Sequence, residues 1–128
     1  LLVVVLLIGT NNTGKNSVPD IAGAIRAICD LIRKKQPQSK VLLLGILPRS
    51  ARPDASRAKI AEINQLISKY DGHGDVTYLD VGGKFISADG TISRELMSDF
   101  LHPTAKGYEI LAESIEPTLV KLLGESAP

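Results

Sequence analysis

An aspartate and a histidine three residues apart are the strongest candidates for chemistry in this chain. Asp99 and His102 lie in the segment Asp99-Phe100-Leu101-His102-Pro103, just before the last predicted helix. A carboxylate bound to one imidazole nitrogen fixes the ring tautomer and stabilises the protonated ring, so the other nitrogen can act as a general base. The spacing can bring the two side chains together, but the pair alone does not identify a reaction.

The first polar segment offers a second chemistry. Gly9-Thr10-Asn11-Asn12-Thr13-Gly14-Lys15 follows an apolar run and fits the G-x-x-x-x-G-K pattern of phosphate-binding loops. Such a loop needs Ser or Thr after the lysine to hold magnesium, and here Asn16 follows. Ser17 and Pro19 predict a helix that starts after the lysine, whereas phosphate binding needs helix amides at that point. A nucleotide-binding site is therefore the weaker alternative.

Composition narrows the classes of function. The chain has 128 residues, 44% of them hydrophobic, and a net charge of +1, which fits one globular domain. The low net charge and the aromatic content of 4% argue against nucleic-acid binding. No apolar run reaches the ~18 residues that a membrane span requires. Cys29 is the single cysteine, and no cluster has metal-ligand spacing, so we expect neither an internal disulfide nor a metal or other cofactor.

Hydrophobic patterns predict three strands alternating with three helices. The strands, at residues 1–8, 41–47 and 76–81, are largely apolar on both faces, which is typical of parallel strands covered by helices. Pro117 is expected to kink or restart the last helix. The order predicts an α/β fold with a parallel sheet between helical layers. Apolar residues spaced by three and four mark the buried helix faces: Val18, Ile21, Ile25, Ile28 and Ile32, then Ile60, Ile63, Ile67 and Tyr70, then Tyr108, Leu111, Ile115, Leu119 and Leu122.

The loops that follow the three strands are expected to meet at one edge of the sheet, where open α/β sheets bind ligands. They comprise residues 9–14, 48–54 and 82–103. Arg49 and Arg52 in the second loop could meet an anionic or sugar substrate, but a solvated loop explains both more simply.

The motifs in combination resemble the SGNH (GDSL-type) hydrolases. The likeness rests on the strand that ends in Gly-Thr-Asn-Asn and on the Asp-Phe-Leu-His-Pro segment before the last helix. Within that family the chain is most similar to the catalytic subunits of platelet-activating-factor acetylhydrolase, with which it also shares segments at residues 45–49, 64–66 and 88–93. The resemblance covers essentially the whole chain and implies a three-layer, flavodoxin-like fold.

The resemblance also implies an activity and a set of roles. It implies a serine esterase that cleaves a short acyl group, such as acetyl, from a small-molecule ester without a cofactor. It assigns His102 as the general base, Asp99 as the acid that orients it, and Asn11 as a side-chain donor to the oxyanion. The family's nucleophile lies in a Gly-Asp-Ser block, and none of the ten serines here follows Gly-Asp.

The resemblance further implies that strands precede this sequence. We therefore expect residues 1–128 to be the C-terminal portion of a single SGNH-hydrolase domain, with the nucleophilic serine on a missing N-terminal segment or a companion chain. The resemblance also suggests pairing of two copies as a homodimer. The alternative hypothesis is a non-catalytic remnant that acts as a scaffold or partner-binding module.

Overall fold

The computed structural model describes residues 2–124 and contains three strands and three α-helices in alternation. The strands are β1 (Val3–Leu6), β2 (Lys40–Leu44) and β3 (Val76–Leu79), and the helices are α1 (Val18–Lys35), α2 (Ala55–Ile67) and α3 (Ala105–Gly124). Short 3₁₀ segments occupy Thr10–Asn12, Ser68–Tyr70 and Gly82–Phe85. The predicted α/β alternation is confirmed, although each strand is shorter than its apolar run.

The sheet is parallel throughout, in the order β1-β2-β3. The central strand β2 contributes four side chains that are 0–2% exposed. Because successive side chains of a strand point to opposite faces, Val41 and Leu43 pack with α1 and α2, whereas Leu42 and Leu44 pack with α3. The result is the predicted three-layer arrangement, with one apolar core on each face of the sheet.

Helix α1 begins where its capping residues predict. The Ser17 side chain accepts a hydrogen bond from the Asp20 amide at 3.2 Å, and Pro19 lies in the first turn. The helix therefore starts at Val18, beyond Lys15, which argues against a phosphate-binding loop because that loop needs helix amides at the lysine.

Helix α3 differs from its prediction at two residues. It runs unbroken through Pro117, so the helix does not restart there, whereas the kink stays a prediction. Pro117 lies on the exposed side, where solvent can hydrate the carbonyl that loses its partner. Tyr108 is 55% exposed rather than buried, because it lies in the first turn at the rim of a cavity. Among residues 2–124, no helix combines the length and apolarity required to cross a membrane.

The two outer edges of the sheet differ. On β3, the outward Val76 carbonyl accepts a hydrogen bond from the Gly72 amide at 2.9 Å, and the Tyr78 amide donates to the Asp71 carboxylate at 2.8 Å. On β1, the outward backbone groups of Val3 and Val5 have no hydrogen-bond partner within the described chain. An unpaired strand edge favours pairing with another strand.

Candidate active site

Asp99 and His102 form a compact turn, which we call the acid–base turn (residues 99–102). One carboxylate oxygen of Asp99 lies 2.7 Å from Nδ1 of His102. The other accepts hydrogen bonds from the backbone amides of Leu101 at 2.9 Å and His102 at 2.8 Å. The carboxylate thus holds both the ring and the backbone that carries it. Nε2 of His102 has no partner among residues 2–124 and is free to meet a substrate or nucleophile.

The hydrogen bonds to Asp99 also determine its charge. The His102 side chain and the two backbone amides hold the pKa of this carboxyl well below its usual range. Asp99 is therefore ionised at neutral pH, and a carboxylate beside Nδ1 favours the tautomer that carries its proton on Nδ1. Both side chains are more than half exposed, so the pair is open to solvent in residues 2–124.

The loop after β1 forms a second tight turn, the amide turn (residues 9–13). Gly9 starts it with a φ of +115°, a conformation that glycine adopts without strain. A Cβ at that position would also lie 2.9 Å from Cδ1 of Ile46. The 3₁₀ segment that follows contains Asn11, whose side chain is exposed and makes no hydrogen bond within the described residues. Its amide is therefore available to a ligand.

A cavity of about 150 Å³ brings the two turns together. His102 and Thr10 both line it, as does the exposed Tyr108. Asn11 follows Thr10 directly but does not line the cavity itself. The predicted convergence of the loops is thus observed for His102 and Thr10, and it brings the backbone that carries Asn11 to the same place. The remaining lining residues are mostly apolar: Leu7, Ile8, Ile46, Leu47, Leu101 and Pro103.

The loop after β2 connects the two turns, and we call it the bridging loop (residues 48–51). Nη1 of Arg49 donates to Oγ1 of Thr13 at 3.1 Å and to the Thr10 carbonyl at 3.4 Å, both in the amide turn. The amide of Ser50 donates to the Phe100 carbonyl at 2.9 Å, in the acid–base turn. Arg49 is therefore half-buried and turned inward, which corrects the simpler interpretation of a solvated arginine.

Sequence reasoning missed one residue that organises this region. The guanidinium of Arg57, on α2, donates to the carbonyls of Arg49 and Ser50, each at 2.8 Å, and to the Gly90 carbonyl. These bonds fasten the bridging loop to a helix. A charged residue in the first turn of a helix gave no signal of this role, because its partners are backbone atoms of other loops.

A larger cavity, about 470 Å³, is lined by no residue of the two turns, and His102 does not line it. Asn64 in its wall accepts from the Ile46 amide at 2.8 Å and donates to the Ile46 carbonyl at 3.0 Å. Burial and the nearby Asp80 charge raise the pKa of Tyr78. The amide group of Asn64 is thus occupied by the Ile46 backbone. We assign the candidate site to the smaller cavity, because His102 lines it and Nε2 of His102 has no partner among residues 2–124.

Comparisons with known proteins identify the family of the chain. Residues 2–110 match the model of the GDSL-like lipase/acylhydrolase family. The chain is 40% identical over 125 residues to subunit alpha2 of platelet-activating factor acetylhydrolase IB from Rattus norvegicus, covering 97% of this chain and 54% of the relative. The chain thus spans about half the length of the curated relatives it matches.

Solved structures show the same fold. A carbohydrate esterase of family 3 from Talaromyces cellulolyticus superposes with a TM-score of 0.75 at 26% identity, covering 96% of this chain and 59% of the esterase. An acetyl esterase solved with an acetate ion gives a TM-score of 0.77 at 26% identity, covering 98% of this chain and 60% of that protein. From the family match and the shared fold, the chain belongs to the GDSL-like lipase/acylhydrolase family.

Proposed function

We propose that the complete domain containing this chain is a serine esterase that removes a short acyl group, in the first place acetyl, from a small-molecule ester. The observation that carries the proposal is the contact between the Asp99 carboxylate and Nδ1 of His102, with Nε2 left free. Two relatives support the acyl group: one is named an acetylhydrolase, and one is an acetyl esterase solved with an acetate ion.

In the proposed mechanism, the nucleophilic serine comes from a missing N-terminal segment or a companion chain. No serine in the part of the chain that the structure describes lines the cavity beside His102. The unpaired edge of β1 supports a further strand at this position, because apolar edges are normally covered. We propose, on the same grounds, that residues 1–128 form the C-terminal portion of a single SGNH-hydrolase domain.

The chemical steps follow from the free atoms of the site. Nε2 of His102 takes the proton of the serine hydroxyl as the serine oxygen attacks the ester carbonyl. The Asn11 side-chain amide donates a hydrogen bond to the oxyanion of the tetrahedral intermediate. His102 then gives its proton to the leaving alcohol, and an acyl-enzyme remains. Water, deprotonated by the same nitrogen, attacks the acyl carbon; the bond to the serine oxygen then breaks, His102 returns the proton to that oxygen, and the carboxylic acid leaves.

The test is hydrolysis of 4-nitrophenyl acetate by the complete domain. We expect His102→Ala to lower kcat by about 10⁴-fold or more, because the serine loses its base. His73→Ala is the matched control: it replaces the other histidine, which lies in an exposed turn after α2, and should leave kcat unchanged. An active domain whose turnover survives the loss of His102 would refute the proposed role.

Labelling distinguishes the proposal from the non-catalytic alternative. A fluorophosphonate probe followed by peptide mass spectrometry should mark one serine outside residues 1–128, and His102→Ala should abolish the labelling. If the protein isolated from its source consists of these 128 residues alone and shows neither hydrolysis nor labelling, the scaffold or partner-binding hypothesis is favoured instead. The mass of the same protein in solution gives its oligomeric state and so tests the suggested homodimer.

A further inference from the structure

The peptide that precedes Asn11 is fixed by contacts from elsewhere in the chain. The Thr10 carbonyl, which belongs to the Thr10–Asn11 peptide unit, accepts hydrogen bonds from Oγ1 of Thr13 at 2.9 Å and from Nη1 of Arg49 at 3.4 Å. Thr13 is only 5% exposed, so the contact lies in the interior of the turn. Because a peptide unit is planar, fixing its oxygen also fixes the direction in which the Asn11 backbone leaves the turn.

We infer that Arg49 is a positioning residue for Asn11: it acts through Thr10 and Thr13 and holds the amide turn beside the acid–base turn. This inference rests on the proposed function, in which Asn11 donates to the oxyanion. Arg49 itself contacts neither the Asn11 side chain nor His102 in any hydrogen bond of the described chain. Its effect on the reaction therefore passes through the geometry of the turn.

The charge of Arg49 supports a positioning role over a general stabilising one. Its side chain is half-buried, and within residues 2–124 it forms no ion pair with a carboxylate. Its side-chain partners are the neutral oxygens of Thr10 and Thr13. A partly buried cation that binds neutral acceptors gains less from Coulomb attraction than one in an ion pair, so the contact is poorly explained by stability alone.

The backbone that carries the Arg49 side chain is itself held by hydrogen bonds. Its carbonyl accepts from Nε of Arg57, and the next carbonyl, that of Ser50, accepts from Nη2 of the same side chain, each at 2.8 Å. Ser50 has a φ of +74°, and its amide bonds to Phe100, which has a φ of +57°. Positive φ in residues other than glycine costs free energy and persists where surrounding contacts impose it. The bridging loop is thus a rigid support from which Arg49 reaches the amide turn.

A double-mutant cycle in the complete domain separates positioning from general stabilisation. We expect Arg49→Met, which keeps the apolar stem and removes the donors, to lower kcat for 4-nitrophenyl acetate by about 10–100-fold with little change in KM. In an Asn11→Ala background the same substitution should cause almost no further loss, because the positioned group is already absent. Arg49→Lys, which restores one donor, should recover part of the activity.

Two further variants keep the test decisive. Thr13→Val removes the hydroxyl that bonds both Arg49 and the Thr10 carbonyl, so it should also lower kcat. This variant tests the inference even where Arg49→Met does not fold. Arg52→Ala is the matched control, since Arg52 is exposed in the same connection and should leave kcat unchanged. Losses that are equal in the wild-type and Asn11→Ala backgrounds would overturn the inference, and so would an unchanged kcat in Arg49→Met.

Hydrogen exchange gives a readout that does not need activity. The amides of Asn12 and Thr13 donate to the carbonyls of Gly9 at 3.1 Å and Thr10 at 3.3 Å. In Arg49→Met these two amides should exchange faster, whereas those of α1 should not change. A wild-type domain without esterase activity would refute the proposed function. The hydrogen-exchange result would then still test whether Arg49 holds the amide turn. Unchanged exchange at Asn12 and Thr13 in Arg49→Met would refute the positioning role of Arg49.

Discussion

The two turns of the candidate site are held in place by different kinds of contact. In the acid–base turn, Asp99 binds the amides and the ring of residues two and three positions later. In the amide turn, Thr13 is held by Arg49, 36 residues away. The Asp99–His102 contact depends on one short segment, whereas the contact of Arg49 with the amide turn depends on correct packing of the sheet and the bridging loop. A distant substitution can therefore disturb Asn11 while it leaves the acid–base turn intact.

Asp99→Asn is the sharpest way to break the acid–base turn without unfolding it. Its remaining carbonyl oxygen can still accept from the Leu101 and His102 amides, so the turn should persist. Its amide group would donate to Nδ1, which forces the ring proton onto Nε2 and removes the base. We expect kcat for 4-nitrophenyl acetate to fall by about 10⁴-fold, the size of the equivalent change in serine proteases.

A second exposed turn supplies the control for this variant. Asp89 accepts from the Thr91 amide at 3.0 Å and from its hydroxyl at 2.6 Å, so it has the same local bonding without a histidine. Asp89→Asn should leave kcat unchanged. If both substitutions lower kcat alike, the effect comes from loss of turn structure and the orienting role of Asp99 is wrong.

Asn11→Ala tests the other side of the comparison. The substitution removes one donor to the proposed oxyanion, so we expect kcat to fall by about 10²–10³-fold with little change in KM. The neighbouring Asn12 is also exposed, and within residues 2–124 its side chain hydrogen-bonds only to Asn16, at 3.4 Å. Asn12→Ala should therefore have full activity, and an equal loss in both variants would count against a specific role for Asn11.

The local features of the molecule could be predicted from sequence because their causes lie within a few residues. Ser17 caps α1 as its spacing to Asp20 predicts. The unbroken apolar run of β2 predicted helices on both faces, and its neighbouring side chains do enter opposite cores. The Asp99–His102 contact likewise follows from a spacing of three. Each of these features follows from one segment read by itself.

The features that could not be predicted depend on contacts between segments. The apolarity of β1 indicates helical layers above and below but does not report its strand neighbours, and Val5 is 41% exposed at the sheet edge. Arg49 and Arg57 are charged, so the sequence predicts that solvent surrounds them. Their guanidinium groups instead donate to backbone carbonyls, which no sequence motif identifies as acceptors. Tyr108 fits an apolar helical stripe, yet it is 55% exposed and lines the cavity beside His102. Only the assembled fold determines these positions.

The smallest expected effect concerns stability and its pH dependence in the acid–base turn. The hydrogen bonds from His102 and Leu101 lower the pKa of Asp99 in the folded state, so the ionised carboxylate stabilises the fold above the unfolded-state pKa of about 3.9. This contribution is lost as the pH falls from there toward the lower folded value. Because the pair is solvent-exposed, Asp99→Asn should lower Tm by at most a few degrees at pH 7.

Thermal unfolding of the wild type and Asp99→Asn between pH 7 and pH 2.5 measures this effect. The difference in Tm should narrow below about pH 4, where the carboxylate of the unfolded chain takes up its proton. Asp75→Asn is the control, since Asp75 is exposed and its side chain has no hydrogen bond within the described chain. A Tm difference between the wild type and Asp99→Asn that widens in acid would mean that the charge of the Asp99 carboxylate does not stabilise its turn. The acid–base turn would then differ from the amide turn only in its backbone geometry.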